Sequence, residues 1–135
     1  VIEFRPILPD EIPQRWEWLR VGVAEMMTRW PPHCLIEDFY GDFRRGAVGV
    51  LVLVIDGEEK GWVAVKTERD GDGPVLHITA FWSRKVREHW TAIWDALDVF
   101  AKNLKAKRIR WESARDHEIV GWGKEVRRTY ERELT

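Results

Sequence analysis

A single cysteine, Cys34, leaves this chain of 135 residues without an internal disulfide framework or a multi-thiolate metal cage. The four histidines show no ligand spacing, and His33-Cys34 has no basic partner fixed by sequence, so no metal site is expected. Excess charge is lacking too: 22 Lys and Arg stand against 23 Asp and Glu, and a net charge of −1 argues against a nucleic-acid binder held by counterion release. No apolar run approaches the roughly 18 residues of a membrane span. The opening Val1-Ile2-Glu3-Phe4-Arg5 has no basic stretch followed by an apolar one, which predicts a cytoplasmic setting. Internal repeats and low-complexity segments are missing as well. The length predicts one domain, residues 1–135, too short for separate catalytic and binding halves.

Tryptophan is what the chain has in abundance, with nine. Each buries a large ring while its indole N–H asks for an acceptor, so an aromatic, tightly specified core is expected, with two or three rings left for an interface or a groove. Residues 2–8 read as a short strand. Pro9-Asp10 offers a helix start with Asp10 as cap and Pro13 in the first turn. Ile12, Trp16, Leu19, Val23, Met26 and Trp30 then lay one apolar stripe along a helix that Pro31-Pro32 stops. Residues 35–45 predict a second helix carrying Phe39, Tyr40 and Phe43, ended by Gly46.

From Ala47 to Ile55 the run is almost wholly apolar, the pattern of a central strand covered on both faces. Asp56 to Lys60 closes a hairpin onto a strand from Gly61 to Glu68, and Asp70 to Pro74 turns the chain again. In the strand from Val75 to Trp82, alternation puts Leu76, Ile78, Ala80 and Trp82 on one face and Val75, His77, Thr79 and Phe81 on the other. Val86, Trp90, Ile93, Leu97, Phe100 and Leu104 form the most regular helical stripe, with Trp90, Ile93, Leu97 and Phe100 expected in the core. A strand follows at Arg108 to Ser113, then a short helix starting at Asp116, which serves as its cap, and ending near Gly121 or Gly123. Val126, Tyr130 and Leu134 fit a helix and a strand equally.

This order of elements resembles the fold of the GCN5-related N-acetyltransferases (GNAT). The segment from Trp94 to Ser113, WDALDVFAKNLKAKRIRWES, is similar to that family's central helix and fifth strand, and the segment from Gly121 to Leu134, GWGKEVRRTYEREL, to its closing strands. The resemblance implies an α+β domain with a central mixed, mostly antiparallel sheet and helices on both faces. The chain's size suits the short, diverged members found in tailed phages, some of them virion components. Its cytoplasmic setting would then be the host cell or the virion.

In that family a Q/R-x-x-G-x-G/A loop at the start of the central helix holds the pyrophosphate of acetyl-coenzyme A on bare backbone amides. Here the matching stretch is Lys85-Val86-Arg87-Glu88-His89-Trp90, with Glu88 and Trp90 at the glycine positions. A shift that starts the motif at Arg84 puts Arg87 and His89 there instead. Arg84, Lys85, Arg87 and His89 are therefore the candidate coenzyme-binding residues, within a stretch from Arg84 to Arg110 that holds eight Lys and Arg but three acids. Lys102, Lys105, Lys107, Arg108 and Arg110 are also explained as complements of the helix's carbonyl end and the strand rim.

His77 matches the strand from which family members present a base, and Glu112 with Ser113 ends the next strand; both also read as ordinary sheet and strand-end residues. The family's tyrosine acid has no counterpart between Asp116 and Gly123. Two functions stay open. One is acyl transfer from acetyl-coenzyme A to an amine, with His77 and Glu112 catalytic. The other, favoured by the lost glycines, is a non-catalytic scaffold with no cofactor, weak or absent coenzyme A binding, and a protein partner or self-association instead of nucleic acid or membrane.

Overall fold

The computed structural model describes residues 1–29, 35–112, 124–126 and 129–134. In chain order the elements are β1 (Ile2–Ile7), a 3-10 turn (Pro9–Glu11), α1 (Ile12–Arg29), α2 (Ile36–Arg45), β2 (Gly49–Ile55), β3 (Glu58–Asp70), β4 (Gly73–Ser83), a second 3-10 turn (Arg87–His89), α3 (Trp90–Asn103), β5 (Arg108–Glu112), β6 (Lys124–Val126) and β7 (Thr129–Glu133). The strands make one sheet in the order β1-β2-β3-β4-β5-β7-β6. Every pairing is antiparallel except that of β4 with β5. This is the expected α+β architecture with a mixed sheet. Among the described residues no helix is long and apolar enough to cross a membrane.

Local chemistry explains the turns. Asp56 and Gly57 both take positive φ, 51° and 84°, the conformation of a two-residue turn whose twist matches that of paired strands. Gly46, at φ 73°, ends α2 in the left-handed region where glycine has no Cβ penalty. Asp10 does not cap α1. It lies inside the 3-10 turn and accepts from Arg44 at 3.2 Å, while Glu11 reaches back to the Leu8 N–H at 3.0 Å. Trp30, Pro31, Pro32, His33 and Cys34 lie outside the described residues, as do Ser113 and the short helix expected between Asp116 and Gly123.

The sheet separates two cores. On one face α3 lays Ile93, Trp94, Leu97 and Ala101 against Leu51, Leu53, Val63, Val65, Leu76, Ile78, Ile109 and Trp111. On the other, Ile12, Leu19 and Val23 of α1 and Phe43 of α2 cover Val50, Trp62, Ala64, Ala80 and Trp82. Of the four core residues expected on α3, Ile93 and Leu97 are buried, while Trp90 and Phe100 pack at the margin, half-buried. Residues 50–55 are all buried, as a strand covered on both faces requires. The middle position nevertheless belongs to β4, because β5, β7 and β6 extend the sheet beyond it.

The tail resolves into strands. Tyr130 stands opposite Trp111, so pairing with β5 decides what periodicity leaves open. On β4 the simple alternation fails at one residue. Ala64 pairs with Ala80 and Val65 with Ile78, leaving Thr79 as the extra residue of a β-bulge. A one-residue insertion exchanges the faces, so Leu76 and Ile78 join the α3 core while Ala80 and Trp82 join the α1 core.

Candidate functional site

The two ends of β4 carry different chemistry. Its C-terminal end, Ser83, leads through Arg84, Lys85 and Val86 into the 3-10 turn and α3. Lys85 reverses the chain there at φ 56°. The His89 N–H donates to the Val86 carbonyl at 2.8 Å, and no side chain caps either Val86 or His89. Among the described residues the amides of Arg87 and Glu88, in the 3-10 turn that leads into the 14-residue α3, find no acceptor.

The Trp90 ring packs edge-on against Phe81 at 5.6 Å and Trp94 at 6.3 Å. The Glu88 side chain is 81% exposed, with Oε1 3.4 Å from His89 Nε2. Lys85 and Arg87 are exposed beside the uncapped amides. Arg84 is committed to other partners. Its guanidinium donates to the Glu25 carboxylate on α1 and lies 5.1 Å over the Trp82 ring, whose Nε1–H donates to the same carboxylate at 2.6 Å. Glu25, Thr28, Ser83, Arg84 and Lys85 line an open depression of ≈ 630 Å³. Sequence reasoning missed Glu25, whose place on the inward half of α1, between Val23 and Met26, was the available signal.

Next to the bulge, β4 parts from β5. The parallel pairing runs from Val75 with Arg108 to Ile78 with Trp111, whereas β4 continues to Ser83. From Thr79 onward β4 keeps its pairing with β3, while its other edge pairs with no described strand. Phe81, Trp90, Trp94 and Trp111 gather on the α3 side of this divergence, Trp94 and Trp111 with ring centroids 4.7 Å apart.

Before the bulge, on the α1 side of the sheet, stands a charged cluster. His77 has Lys66 opposite it on β3 and Arg110 opposite it on β5. Its Nδ1 lies 2.9 Å from Glu68 Oε1, and the same carboxylate takes Lys66 at 3.1 Å and Arg110 at 3.5 Å. The hydrogen bond to His77, aided by that to Lys66, holds the Glu68 carboxyl below its ordinary range. Asp70 accepts from Arg108, from the Asp72 N–H at 2.8 Å and from Arg110 at 3.0 Å, which lowers its pKa to about 2. His77 lies six residues, about 20 Å at about 3.3 Å per residue, before the end of β4 at Ser83, beyond which stand Lys85 to His89. The backbone of Glu112 ends β5 opposite Thr129, while its side chain is outside the described residues. Among those residues no cluster of three His, Cys, Asp or Glu is placed to hold a metal ion.

The Asp70 cluster carries a pH prediction. An unfolded aspartate titrates near 3.9, above the folded value of about 2. Its stabilising effect is therefore complete above about pH 4 and is lost as pH falls through about 2. Acid unfolding followed by circular dichroism should show Asp70→Asn less stable than the parent at pH 6, with the gap closing toward pH 2. A gap of constant size would refute the assignment.

No protein-family model matches the chain. No curated protein matches it by sequence. Solved structures do match. An acetyltransferase from Thermus thermophilus superimposes with TM-score 0.63 at 14% identity, over 99% of this chain and 97% of its own. A chain from Desulfovibrio desulfuricans assigned to the GNAT family gives 0.67 at 13% identity over 100% of both. The aminoglycoside N-acetyltransferase AAC(6')-Iy, in complex with coenzyme A, gives 0.58 at 14% identity over 90% and 82%. The chain has the GNAT fold. That complex also corrects the expectation of no cofactor, because the fold matched over 90% of this chain holds coenzyme A in a solved structure. The expectation rested on side-chain bulk at Glu88 and Trp90, or at Arg87 and His89 in the shifted alignment, and on the opposing charge of Glu88.

Proposed function

We propose that this GNAT-fold chain is a coenzyme A-dependent N-acyltransferase acting on an amine. The observation that carries the reading is the course of β4, which leaves β5 at the bulged Thr79 and delivers the chain to an uncapped helix start flanked by Lys85 and Arg87. Those two cations and the amides of Arg87 and Glu88 suit a pyrophosphate. Coenzyme A, when bound, supplies the acyl group as a thioester. The β4 edge beyond Thr79 offers backbone donors for a developing oxyanion. His77 takes the proton of the acceptor amine at Nε2, the ring nitrogen turned away from Glu68. Arg84, held by Glu25 and stacked on Trp82, fixes the rim of the open depression and leaves anion binding to its neighbours.

Acetyl-coenzyme A at about 100 times its dissociation constant should raise the unfolding free energy by about 2.7 kcal/mol. Calorimetric titration should give a one-to-one complex tighter than about 10 micromolar, or roughly −7 kcal/mol. A Lys85→Ala, Arg87→Ala double variant should lose most of that affinity. Absence of binding at millimolar ligand would overturn the reading.

Glu88 and Trp90, standing where the related loop has glycine, favour a second reading, in which the chain serves a protein partner without turning over. It predicts coenzyme A binding without acyl transfer to any amine in a broad panel.

A further inference from the structure

We infer that Glu68 is the positioning residue of His77, fixing the imidazole in the tautomer that carries its proton on Nδ1 and presents a lone pair on Nε2. The inference rests on the acyl-transfer reading for its purpose, and on geometry alone for the tautomer. Three charged groups face His77 from the strands on either side: Lys66 and Glu68 on β3, and Arg110 on β5. Lys66 and Arg110 have donors only. Glu68 is therefore the neighbour able to accept a proton-bearing nitrogen, and its Oε1 lies 2.9 Å from Nδ1. An ionised carboxylate can only accept, so Nδ1 must be the donor. The His77 hydrogen bond and then that of Lys66 hold the carboxyl below its ordinary range, with Lys66 at Oε1, while Arg110 stands 3.5 Å from Oε2.

Burial strengthens the arrangement. The His77 side chain is 17% exposed and that of Glu68 31%, so water competes weakly for this bond. Hairpin register sets the pair's spacing. The two-residue turn at Gly71-Asp72 places Lys66 opposite His77 and Glu68 one step along the same face, a diagonal that long side chains span.

Nitrogen-15 NMR on the intact chain reads the tautomer directly, with the His77 signal assigned through His77→Gln. In the neutral ring the expected pattern is a protonated Nδ1 and a bare Nε2. Glu68→Ala should move the population toward the Nε2–H form. Glu68→Gln, isosteric and uncharged, should do the same, because its amide NH2 can donate to Nδ1; it also covers the case in which the alanine variant folds poorly. An Nε2–H tautomer in the parent, or an unchanged Nδ1–H signal in both variants, would overturn the assignment whatever the activity. In acyl transfer, both variants should lower kcat by between about 10- and 10⁴-fold, the range set by losing a correctly oriented tautomer, with KM for acetyl-coenzyme A unchanged. Glu68→Asp, which keeps the acceptor, should restore part of the rate. If the parent shows the Nδ1–H tautomer but transfers no acyl group, the positioning stands and the acyltransferase reading falls. If transfer is robust but indifferent to Glu68, the positioning falls alone.

Discussion

Replacing Trp62 with alanine should lower the unfolding free energy by about 3–5 kcal/mol, the cost of emptying a packed aromatic site. Trp62 is completely buried and stands between Phe43 of α2 at 5.7 Å and Trp82 of β4 at 6.5 Å. α1 passes so close that a Cβ on Gly22 would fall 2.5 Å from Trp62 Nε1 and 2.6 Å from Trp82 Cδ2. One side chain thus joins β3 to both helices of that face. The void left by alanine has few ways to collapse, because the surrounding rings are held edge-on to one another. Trp62→Phe is the control. Among the described residues the indole Nε1 has no acceptor, so the smaller apolar ring also removes an unsatisfied buried donor and should cost less than alanine. Urea melts showing a loss below about 1 kcal/mol for Trp62→Ala would mean that this core is held elsewhere.

Most of the scaffold was legible because its signals are local. The stripe from Val86 to Leu104 and the double-sided apolar run to Ile55 each mark an element by period alone, and Asp56-Gly57 marks its turn by the φ values it needs. What escaped depends on pairing across strands. The bulge at Thr79 is invisible to alternation, since it arises from a mismatch between β3 and β4, and it sends Ala80 and Trp82 to the face opposite Leu76 and Ile78. The strand state of residues 129–133 likewise comes from β5. At the site, the loop residues Lys85 and Arg87 are legible from charge and position, but nothing local shows that Arg84 is claimed by Glu25, 59 residues away. Glu68 escaped too, although counting back from the turn at Gly71-Asp72 puts it diagonal to His77. Nor does the loop's sequence show where the Trp90 ring goes, since Phe81 and Trp94 pack edge-on against it.

The largest functional effect should come from His77→Ala, which on the acyl-transfer reading removes the proton acceptor and should lower kcat by about 10²–10⁴-fold, the usual worth of a positioned base. Stability should change little by comparison, because Glu68 keeps Lys66 and Arg110 as partners and Asp70 keeps Arg108 and Arg110. Affinity for acetyl-coenzyme A should also hold, since Lys85 and Arg87 lie beyond the end of β4 at Ser83, itself about 20 Å along the strand from His77 at about 3.3 Å per residue. A fall in kcat with unchanged KM is the signature of a group used in the transition state and not in binding. Thiol release from acetyl-coenzyme A, measured with a panel of primary amines, gives both constants. If His77→Ala keeps kcat within about threefold of the parent, far short of a base's contribution, the proton leaves by another route and His77 is a sheet residue held by its salt-bridge neighbours.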